Sequence, residues 1–426
     1  MKKYFKLNPF CHLVDGFNGG CVYNLSTGDI IFFEEEKYNI LKQCEKNIQL
    51  SNISNCNASF IEKLYNLNIG MYFDVPVYVE KLSIGMPKAL TYSENKNYNI
   101  NAFYIELTNE CNFNCVFCPE NSNVLYRRTG CKRWKIGNKI EDLSVWKKII
   151  YQISKLHCQQ LVFIGGEPFL KIKLLREIVT FASSCNINNF LIFTNGTLVD
   201  AKIIDFIKKY NVKLRIQILA STDAVYEKIT NYSKAQTIIS NNLRMLQSNH
   251  IDFDLVLFVT SLNENEVEII VKYYNQFITK DKKIKLDTIY PNSQNDFCPK
   301  SRIESLFNKK KFLREMHIED FCYANKFHNC YGHNLAISAD GNIFPCIMSR
   351  NLLLGNISEN TIADILRNSK YDHYRRLTKD KIDGCKQCAF KYGCFDCRAI
   401  EMYSTGKING MQYCNLKPVI KHNETT

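Results

Sequence analysis

Apolar runs and helical patterns alternate along the middle of the chain. Six apolar runs lie in this stretch, at residues 103–107, 161–164, 190–193, 214–219, 255–259 and 284–289. Between them, apolar residues recur at i, i+3 and i+4, for example at Trp146, Ile149 and Ile150, which predicts helices. Strands that alternate with crossover helices form a parallel sheet. We therefore predict an α/β fold over residues 101–291, curled into an open barrel or doubly wound, with its active site at the carboxyl ends of the strands.

The first hundred residues predict a small α+β unit. Its expected elements are a hairpin, two helices and a short strand, at residues 21–25 with 29–33, 34–45, 60–67 and 75–79. We expect Gly70 to end the second helix. Pro76 restricts the last run to an edge strand or to the start of a strand.

The alternation stops at about residue 292, where Cys, Gly and Asn become dense and long helical patterns become scarce. This composition indicates a domain organised by metal and not by a large apolar core. We therefore predict three domains, at residues 1–100, 101–291 and 292–426, with a loose tail over residues 415–426.

Composition and charge narrow the class of protein. No apolar run reaches the about 18–20 residues of a membrane span, and no signal-peptide pattern follows the start, so we expect a cytoplasmic protein with no membrane partner. Lys and Arg number 55 against 42 Asp and Glu, a net charge of +13. The excess either covers a solvated surface or attracts phosphate or an acidic peptide. Because no arginine-rich or zinc-finger pattern accompanies it, we expect no nucleic-acid partner.

The 19 cysteines are the most informative feature of the composition. In a reducing cytoplasm so many thiols indicate metal ligation and not disulfides. Cys111, Cys115 and Cys118 form a C-x3-C-x2-C triplet directly after the first strand of the predicted barrel. Three thiolates can hold a [4Fe–4S] cluster while one iron stays open to a ligand. A zinc site is the alternative, although zinc prefers four ligands.

This triplet resembles the cysteine motif of the radical S-adenosylmethionine (SAM) superfamily, including the aromatic Phe117 before the last cysteine. The resemblance implies a partial (β/α)6 TIM-type barrel and SAM as cofactor, chelated by the open iron. It also implies cleavage of SAM to a 5′-deoxyadenosyl radical that takes a hydrogen atom from the substrate. An electron donor such as flavodoxin or ferredoxin would be a partner.

Further residues resemble the SAM contacts of that superfamily. Gly165, Gly166 and Glu167 follow the second strand and are similar to its glycine-rich motif, with Glu167 as an acceptor for the SAM ammonium. Glycine also lets the backbone approach a ligand closely. The candidate ribose and carboxylate contacts after the next strands are Asn195, Gln217 and Ser221. No basic residue clearly matches the one that meets the SAM carboxylate in many relatives, and Lys228 and Lys234 are the guesses.

Eight more cysteines lie in the carboxy-terminal region: Cys322, Cys330, Cys346, Cys385, Cys388, Cys394, Cys397 and Cys414. They suffice for two fully ligated [4Fe–4S] clusters, although a zinc ribbon could use the C-x2-C pairs. Residues 337–346 predict a hairpin that turns at Asp340 and Gly341 and places Cys346 at its end.

This array resembles the SPASM domain, the twin-cluster extension of many radical SAM enzymes. Gly341 and Cys346 match its Gly-x4-Cys element, whereas the interval from Cys394 to Cys397 is x2 where that pattern has x3. The resemblance implies two auxiliary clusters and therefore three [4Fe–4S] clusters in all. It assigns Cys322, Cys330, Cys346 and Cys397 to one, and Cys385, Cys388, Cys394 and Cys414 to the other.

The remaining cysteines show no ligand spacing, and we interpret them as buried free thiols: Cys11, Cys21, Cys44, Cys56, Cys131, Cys158, Cys185 and Cys298. Cys131 lies in a basic loop that also contains Lys132 and Arg133, beside the expected site, so a substrate role is an alternative for it.

Residues 1–100 resemble the winged-helix, PqqD-like element that recognises leader peptides in maturases of ribosomally made peptides. Such elements bind a peptide as an added strand. A plain amino-terminal cap on the barrel is the alternative. The resemblance as a whole implies a precursor-peptide partner and favours a thioether crosslink, of the kind found in bacteriocins. Carbon–carbon crosslinking or epimerisation comes next.

Two other functions stay open. Sulfatase maturation uses the same architecture, but its relatives carry Asp directly after the Gly-x4-Cys cysteine, where this chain has Ile347. A non-catalytic iron–sulfur electron carrier is the second, and it would need no SAM pocket. The sequence identifies no catalytic acid or base.

Overall fold

The structure is a computed structural model that describes residues 3–82, 100–118, 132–290, 297–300 and 313–414. Its amino-terminal elements are β1 (Tyr4–Leu7), β2 (Cys11–Gly16), β3 (Gly19–Asn24), β4 (Asp29–Glu34), α1 (Glu35–Glu45), a 3-10 turn (Leu50–Asn52), α2 (Ala58–Asn66) and β5 (Gly70–Phe73). Strands β2, β3 and β4 form an antiparallel sheet, and β1 pairs with β5 in a second one. The predicted hairpin and both predicted helices are confirmed.

The predicted strand at 75–79 is wrong, because β5 lies earlier and begins at Gly70. A Cβ at Gly70 would lie 2.4 Å from the Lys6 carbonyl oxygen, so glycine lets β5 approach β1. Val75 and Tyr78 are exposed, which explains why their β-prone run forms no strand.

The central unit alternates strands and helices as predicted. Its elements are β6 (Ala102–Thr108), α3 (Leu143–Ser154), β7 (Gln160–Gly165), a 3-10 turn (Pro168–Lys171), α4 (Ile172–Ser184), β8 (Phe190–Thr194), α5 (Ala201–Tyr210), β9 (Lys213–Ile218), α6 (Asp223–Thr230), α7 (Ala235–Ser248), β10 (Phe253–Val259), 3-10 turns (Glu264–Glu266 and Asn275–Phe277), α8 (Val267–Tyr274) and β11 (Lys285–Thr288). Strands β6 to β11 are all parallel and lie side by side in chain order. The six predicted strands are confirmed, and the α/β prediction with them.

The cysteine-rich region continues the same sheet. Its elements are α9 (Ile318–Lys326), β12 (Asn334–Ile337), β13 (Asn342–Phe344), β14 (Gly355–Asn356), α10 (Ile362–Arg367), α11 (Ser369–Arg375), a 3-10 turn (Lys379–Lys381), α12 (Asp383–Lys386) and α13 (Arg398–Thr405). Strand β12 pairs in parallel with β6, and the sheet has nine strands in the order β11-β10-β9-β8-β7-β6-β12-β13-β14. The predicted hairpin is confirmed, with Gly341 at φ +85 in its turn. The sheet therefore crosses the boundary predicted at residues 291 and 292.

The amino-terminal unit packs on the cysteine-rich region. One face of β3 buries Val22 in the unit's own core. The other face buries Cys21 and Tyr23 against Met316 and Ala389. The Tyr23 hydroxyl donates to the Ala389 carbonyl oxygen at 3.0 Å. Among the described residues, no helix is long and apolar enough to cross a membrane.

Candidate functional site

The cysteine triplet lies in the loop that leaves the carboxyl end of β6. Two backbone hydrogen bonds tie this loop to the end of α6: Asn114 N donates to Thr230 O and Val116 N donates to Ile229 O, each at 2.9 Å. Phe117 is buried, and its ring centroid lies 5.0 Å from that of Phe258 on β10. The loop is therefore fixed by packing and hydrogen bonds before any ligand binds.

The three thiols open into one small pocket at the carboxyl ends of the strands. Its other lining residues are Phe113, Phe117, Lys132, Arg133, Gly166, Asn195 and Gln217. Backbone N–H groups point at two of the sulfurs, since Phe113 N lies 3.4 Å from Cys111 Sγ and Arg133 N lies 3.4 Å from Cys118 Sγ. Such hydrogen bonds stabilise thiolates that ligate iron.

Burial makes the metal-free thiolates unfavourable. It raises the pKa of Cys111 to about 12, with a smaller contribution from Glu167 nearby, and it raises the pKa of Cys115 well above the usual range. A bound cation reverses this effect, because a coordinating thiol is deprotonated. The triplet therefore suits a cationic metal centre and would be costly as three free thiolates.

The spacing of the thiols favours a cluster over zinc. Zinc–sulfur bonds of about 2.3 Å bring the sulfurs of one zinc site within about 4 Å of each other. No three His, Cys, Asp or Glu side chains in the described part of the chain are placed to hold a single metal ion. A four-iron cube is wider, and its thiolates stand further apart. The triplet is therefore not placed as a single-ion site, and a cluster held by all three thiols is the favoured alternative.

Gly165 and Gly166 allow two loops to touch. Gly165 has φ +132, and a Cβ there would lie 2.1 Å from the Thr108 carbonyl oxygen. A Cβ at Gly166 would lie 2.0 Å from the Glu110 carbonyl oxygen. We expected these glycines to let backbone approach a ligand; in the structure they let β7 approach the backbone that leads to Cys111. Gly166 also lines the pocket itself.

Glu167 is buried, and its carboxylate accepts hydrogen bonds from groups of the protein itself. Its carboxylate accepts hydrogen bonds from Phe169 N at 3.0 Å, Asn195 N at 2.8 Å and the Thr194 hydroxyl at 2.9 and 3.0 Å. Burial raises its pKa to about 7, against the lowering effect of these donors. Glu167 is not among the residues that line the pocket, and its contact with an ammonium group stays a prediction.

The other predicted SAM contacts divide between the pocket and the surface. Asn195 and Gln217 line the pocket, and Asn195 Nδ2 donates to Asn112 Oδ1 at 2.8 Å. Ser221 lies after β9, outside the pocket lining. Lys228 and Lys234 are exposed and lie outside the pocket lining too, so neither guess is supported.

Two basic residues of the loop that follows Cys131 line the pocket, although only Cys131 was a candidate for a role there. Arg133 donates to the Cys118 carbonyl oxygen at 2.9 and 3.1 Å and to Asn114 Oδ1 at 2.9 Å, which closes the cysteine loop. Lys132 is buried, and its ammonium lies 4.2 Å from the centroid of the Trp134 ring. Burial lowers the pKa of Lys132 to about 8. Cys131 itself lies outside the described residues.

Three cysteines of the first predicted auxiliary set share a larger cavity of about 490 Å³ between the sheet and the cysteine-rich region. Cys330, Cys346 and Cys397 line it together with Tyr104 and Arg215. The Cys330 thiol next to Cys346 raises the pKa of Cys346, together with burial and Cys397. The fourth predicted ligand, Cys322, lies on α9.

The second predicted set groups around Cys394. Cys385, Cys414 and Cys388 all lie near enough for their charges to raise the pKa of Cys394, after the larger effect of burial. The two groupings are consistent with the partition that the SPASM resemblance implies, and the assignment of all eight ligands stays a prediction. No disulfide joins any cysteine of the described ranges.

The other described cysteines belong to none of these predicted ligand sets. Those with fully buried side chains are Cys11, Cys21, Cys44 and Cys158, and those only partly buried are Cys56, Cys185 and Cys298. Burial raises the pKa of Cys21, with a further contribution from Cys388, because β3 packs beside the second set.

A mostly parallel α/β sheet with a three-thiol loop at its carboxyl edge, joined to a region with two more thiol groups, defines an iron–sulfur enzyme of the partial-barrel type. Comparison with protein families agrees. Residues 105–274 match the radical SAM superfamily, and residues 330–389 match the SPASM iron–sulfur cluster-binding domain. The chain belongs to the radical SAM superfamily and carries a SPASM domain, so it is a radical SAM enzyme.

Individual relatives are distant. The chain is 29% identical to the uncharacterized protein MJ0907 of Methanocaldococcus jannaschii over 60% of its own length and 88% of that protein. It is 22% identical to PqqA peptide cyclase of Bradyrhizobium diazoefficiens, covering 75% of this chain and 87% of the relative. The solved structure "Native anSMEcpe with bound AdoMet and Cp18Cys peptide" has a TM-score of 0.51 at 17% identity, over 73% of this chain and 92% of that one. At this identity the structural likeness concerns the fold alone.

Proposed function

We propose that this radical SAM enzyme modifies a ribosomally made precursor peptide, with a thioether crosslink from a Cys sulfur to an α- or β-carbon as the preferred product. One observation carries the proposal: the triplet pocket and the cavity of the first auxiliary set lie on the same face of one sheet. The triplet pocket contains the thiols that would hold the cluster to which SAM binds. The larger cavity would hold an auxiliary cluster on its three thiols, and a substrate peptide would approach it along the same face.

Strand β9 links the two sites. Gln217 lines the triplet pocket, and Arg215, two residues earlier on the same strand face, lines the larger cavity. Same-face neighbours along a strand are about 7 Å apart. When iron and SAM are bound, they supply a 5′-deoxyadenosyl radical that abstracts a hydrogen atom. A substrate held by the cavity walls is then within reach of that chemistry.

The chain's own residues prepare this site. Arg133 and the end of α6 hold the cysteine loop, and Gly165 with Gly166 sets the distance between β6 and β7. Asn195 and Gln217 present polar groups inside the pocket, which orients a polar cofactor.

The amino-terminal unit supports a peptide substrate. Strands β2 and β4 are the outer strands of its three-stranded sheet, and an extended leader peptide can add to such an edge through main-chain hydrogen bonds. One of the relatives is named for a peptide substrate, and the related solved structure holds a peptide. A PqqD-like leader-binding role for residues 1–100 is part of this proposal.

Alternative products follow from the same site. Carbon–carbon crosslinking and epimerisation need the same 5′-deoxyadenosyl radical. They differ in whether the substrate radical then forms a bond to carbon or accepts a hydrogen atom. Sulfatase maturation is less favoured, because its relatives carry Asp as a base where this chain buries Ile347 against the cavity. The position offers no proton acceptor.

Production of 5′-deoxyadenosine tests the catalytic part of the proposal. The iron-reconstituted protein, reduced by dithionite or by flavodoxin or ferredoxin and given SAM, should form it. The variant with Cys111, Cys115 and Cys118 changed to Ala should not. A control with Cys56, Cys185 and Cys298 changed to Ala removes as many thiols and should stay active. If only the control variant loses the product while the triplet variant keeps it, the proposal is contradicted. If native protein with full iron forms no 5′-deoxyadenosine, the proposal is also contradicted, and an electron carrier is favoured.

Mass spectrometry tests the product. Coexpression with a short peptide encoded beside the gene should yield that peptide with two hydrogen atoms lost per crosslink. Blocking of a Cys thiol in the product identifies a thioether. An unchanged mass with an inverted residue identifies epimerisation, and loss of hydrogen with all Cys thiols still reactive identifies a carbon–carbon bond.

A further inference from the structure

A lysine is buried among the cysteines of the second auxiliary set. Lys379 begins a 3-10 turn, and its side chain keeps only 7% of its exposure. Its ammonium contacts Asp396, which lies between Cys394 and Cys397 in the chain, and its turn leads directly into α12, which contains Cys385. Burial lowers the pKa of Lys379, and the nearby cysteine thiols oppose this effect. No part of the proposed catalytic site uses this residue.

The protein only partly compensates the charge of Lys379. Its ammonium pairs with Asp396, which Arg398 also contacts, so one carboxylate serves two cations. Glu401 lies 3.8 Å from Arg398 and accepts hydrogen bonds from the backbone of residues 412 and 413. A buried ammonium is costly unless anions surround it. The thiolates of a loaded cluster are further anions next to it.

We propose that Lys379 raises the midpoint potential of the cluster held by Cys385, Cys388, Cys394 and Cys414. A [4Fe–4S] core with four thiolates is an anion, and reduction adds one more negative charge. A fixed cation in a low-dielectric surrounding therefore stabilises the reduced form more than the oxidised form. The inference rests on iron occupancy of this set, as proposed above, and is independent of which peptide the enzyme modifies.

Substitution of Asp396 should shift the midpoint potential in the direction opposite to substitution of Lys379. It separates Cys394 from Cys397 in the chain and neutralises part of the charge of Lys379. Replacing it with Asn leaves the lysine charge less compensated, so the potential should rise. A purely structural role for the Lys379–Asp396 pair predicts no such opposition, because either change would break the same contact.

Potentiometric titration followed by electron paramagnetic resonance tests the proposal on the reconstituted enzyme. We would use a background with Cys111, Cys115 and Cys118 changed to Ala, so that only the auxiliary clusters contribute. Lys379→Met should move one auxiliary signal to lower potential and leave the other in place. Lys379→Arg keeps the charge and should restore the native value. Lys381→Met, an exposed lysine of the same turn, is the control and should change nothing.

Iron content and signal shape are measured for every variant. Unchanged potentials in Lys379→Met at full iron content overturn the proposal, as does a shift of Asp396→Asn in the same direction as Lys379→Met. Should Lys379→Met fail to hold iron, Asp396→Asn and Lys379→Arg decide alone: a rise in the first and a native value in the second support the proposal, and any other pattern overturns it. Retained 5′-deoxyadenosine production in Lys379→Met without the background changes separates a failure here from a failure of the proposed function.

Discussion

A buried ion pair joins the barrel to the cysteine-rich region, and its removal should destabilise the protein strongly. Glu106 on β6 is fully buried, and Arg350, which follows the β12–β13 hairpin, pairs with it at 2.8 Å. Arg350 also stacks on Trp134 at 4.7 Å and donates to the Ile347 carbonyl oxygen at 3.1 Å. The pair thus lies between the triplet pocket and the first auxiliary set.

The magnitude follows from what Arg350→Met leaves behind. Removing one partner of a buried pair costs about 3–5 kcal/mol, because the remaining charge is uncompensated. We expect about 3 kcal/mol, near the lower end, since the Arg350 side chain keeps 17% of its exposure. Glu106→Gln combined with Arg350→Met removes both charges and should recover most of the loss. Arg367→Met, which breaks an exposed pair with Asp364 at 2.9 Å, is the matched control and should cost less than about 1 kcal/mol.

Chemical unfolding of the reconstituted proteins at two pH values is the assay. Burial raises the pKa of Glu106 and Arg350 lowers it, so Arg350→Met should raise that pKa further. A carboxyl group with a raised pKa in the folded state stabilises that state only while protonated. The cost of the substitution should therefore shrink as pH falls from about 8 towards the ordinary value of the group. An Arg350→Met protein as stable as the Arg367→Met protein, or a cost that grows on acidification, would refute this reasoning.

Three further changes probe the site and the amino-terminal unit. Gly166→Ala places a methyl group against the Glu110 carbonyl oxygen, 2.0 Å away, and should lower the iron bound by the triplet, measured as iron per protein in a background without the auxiliary cysteines. Glu167 has its pKa raised from 4.5 to about 7, so the stability it contributes is complete below pH 4.5 and is lost as pH rises through 7; Glu167→Gln should flatten this dependence in thermal unfolding. Tyr23→Phe leaves the Ala389 carbonyl oxygen without its donor at a cost of about 1–3 kcal/mol, and should speed proteolytic release of the amino-terminal unit.

The sequence predicted the central sheet well, because buried parallel strands are continuous apolar runs. The run at 190–193, for example, is β8 (Phe190–Thr194) almost residue for residue. Helix α5 lies between β8 and β9, where the alternation predicts a crossover helix, and it buries Ile203, Ile204 and Ile207 on one face. The strand at 75–79 failed for another reason: β-prone residues form a strand only where a partner strand lies beside them, and β1 pairs with β5 instead.

The metal ligands could be predicted from spacing, whereas the surroundings of the pocket could not. Cysteines three and four residues apart can reach one cluster from a single loop, so the triplet is a local signal. The direction of the Glu167 carboxylate depends on Thr194 and Asn195, which lie at the carboxyl end of another strand. Lys132 and Arg133 reach the pocket only because their loop returns across the end of β7, where Lys132 N donates to the Gly165 carbonyl oxygen at 3.0 Å. Such contacts depend on tertiary structure and leave no pattern in the sequence.

The effect of SAM on the electron paramagnetic resonance spectrum of the reduced protein tests the central claim most directly. In native protein, SAM should alter the signal of one reduced cluster, because the iron that Cys111, Cys115 and Cys118 leave open binds it. In the variant with these three residues changed to Ala, that signal and the response to SAM should both be absent, while the auxiliary signals persist. A fully loaded native protein whose spectrum ignores SAM, or a variant that still responds to it, would contradict the account.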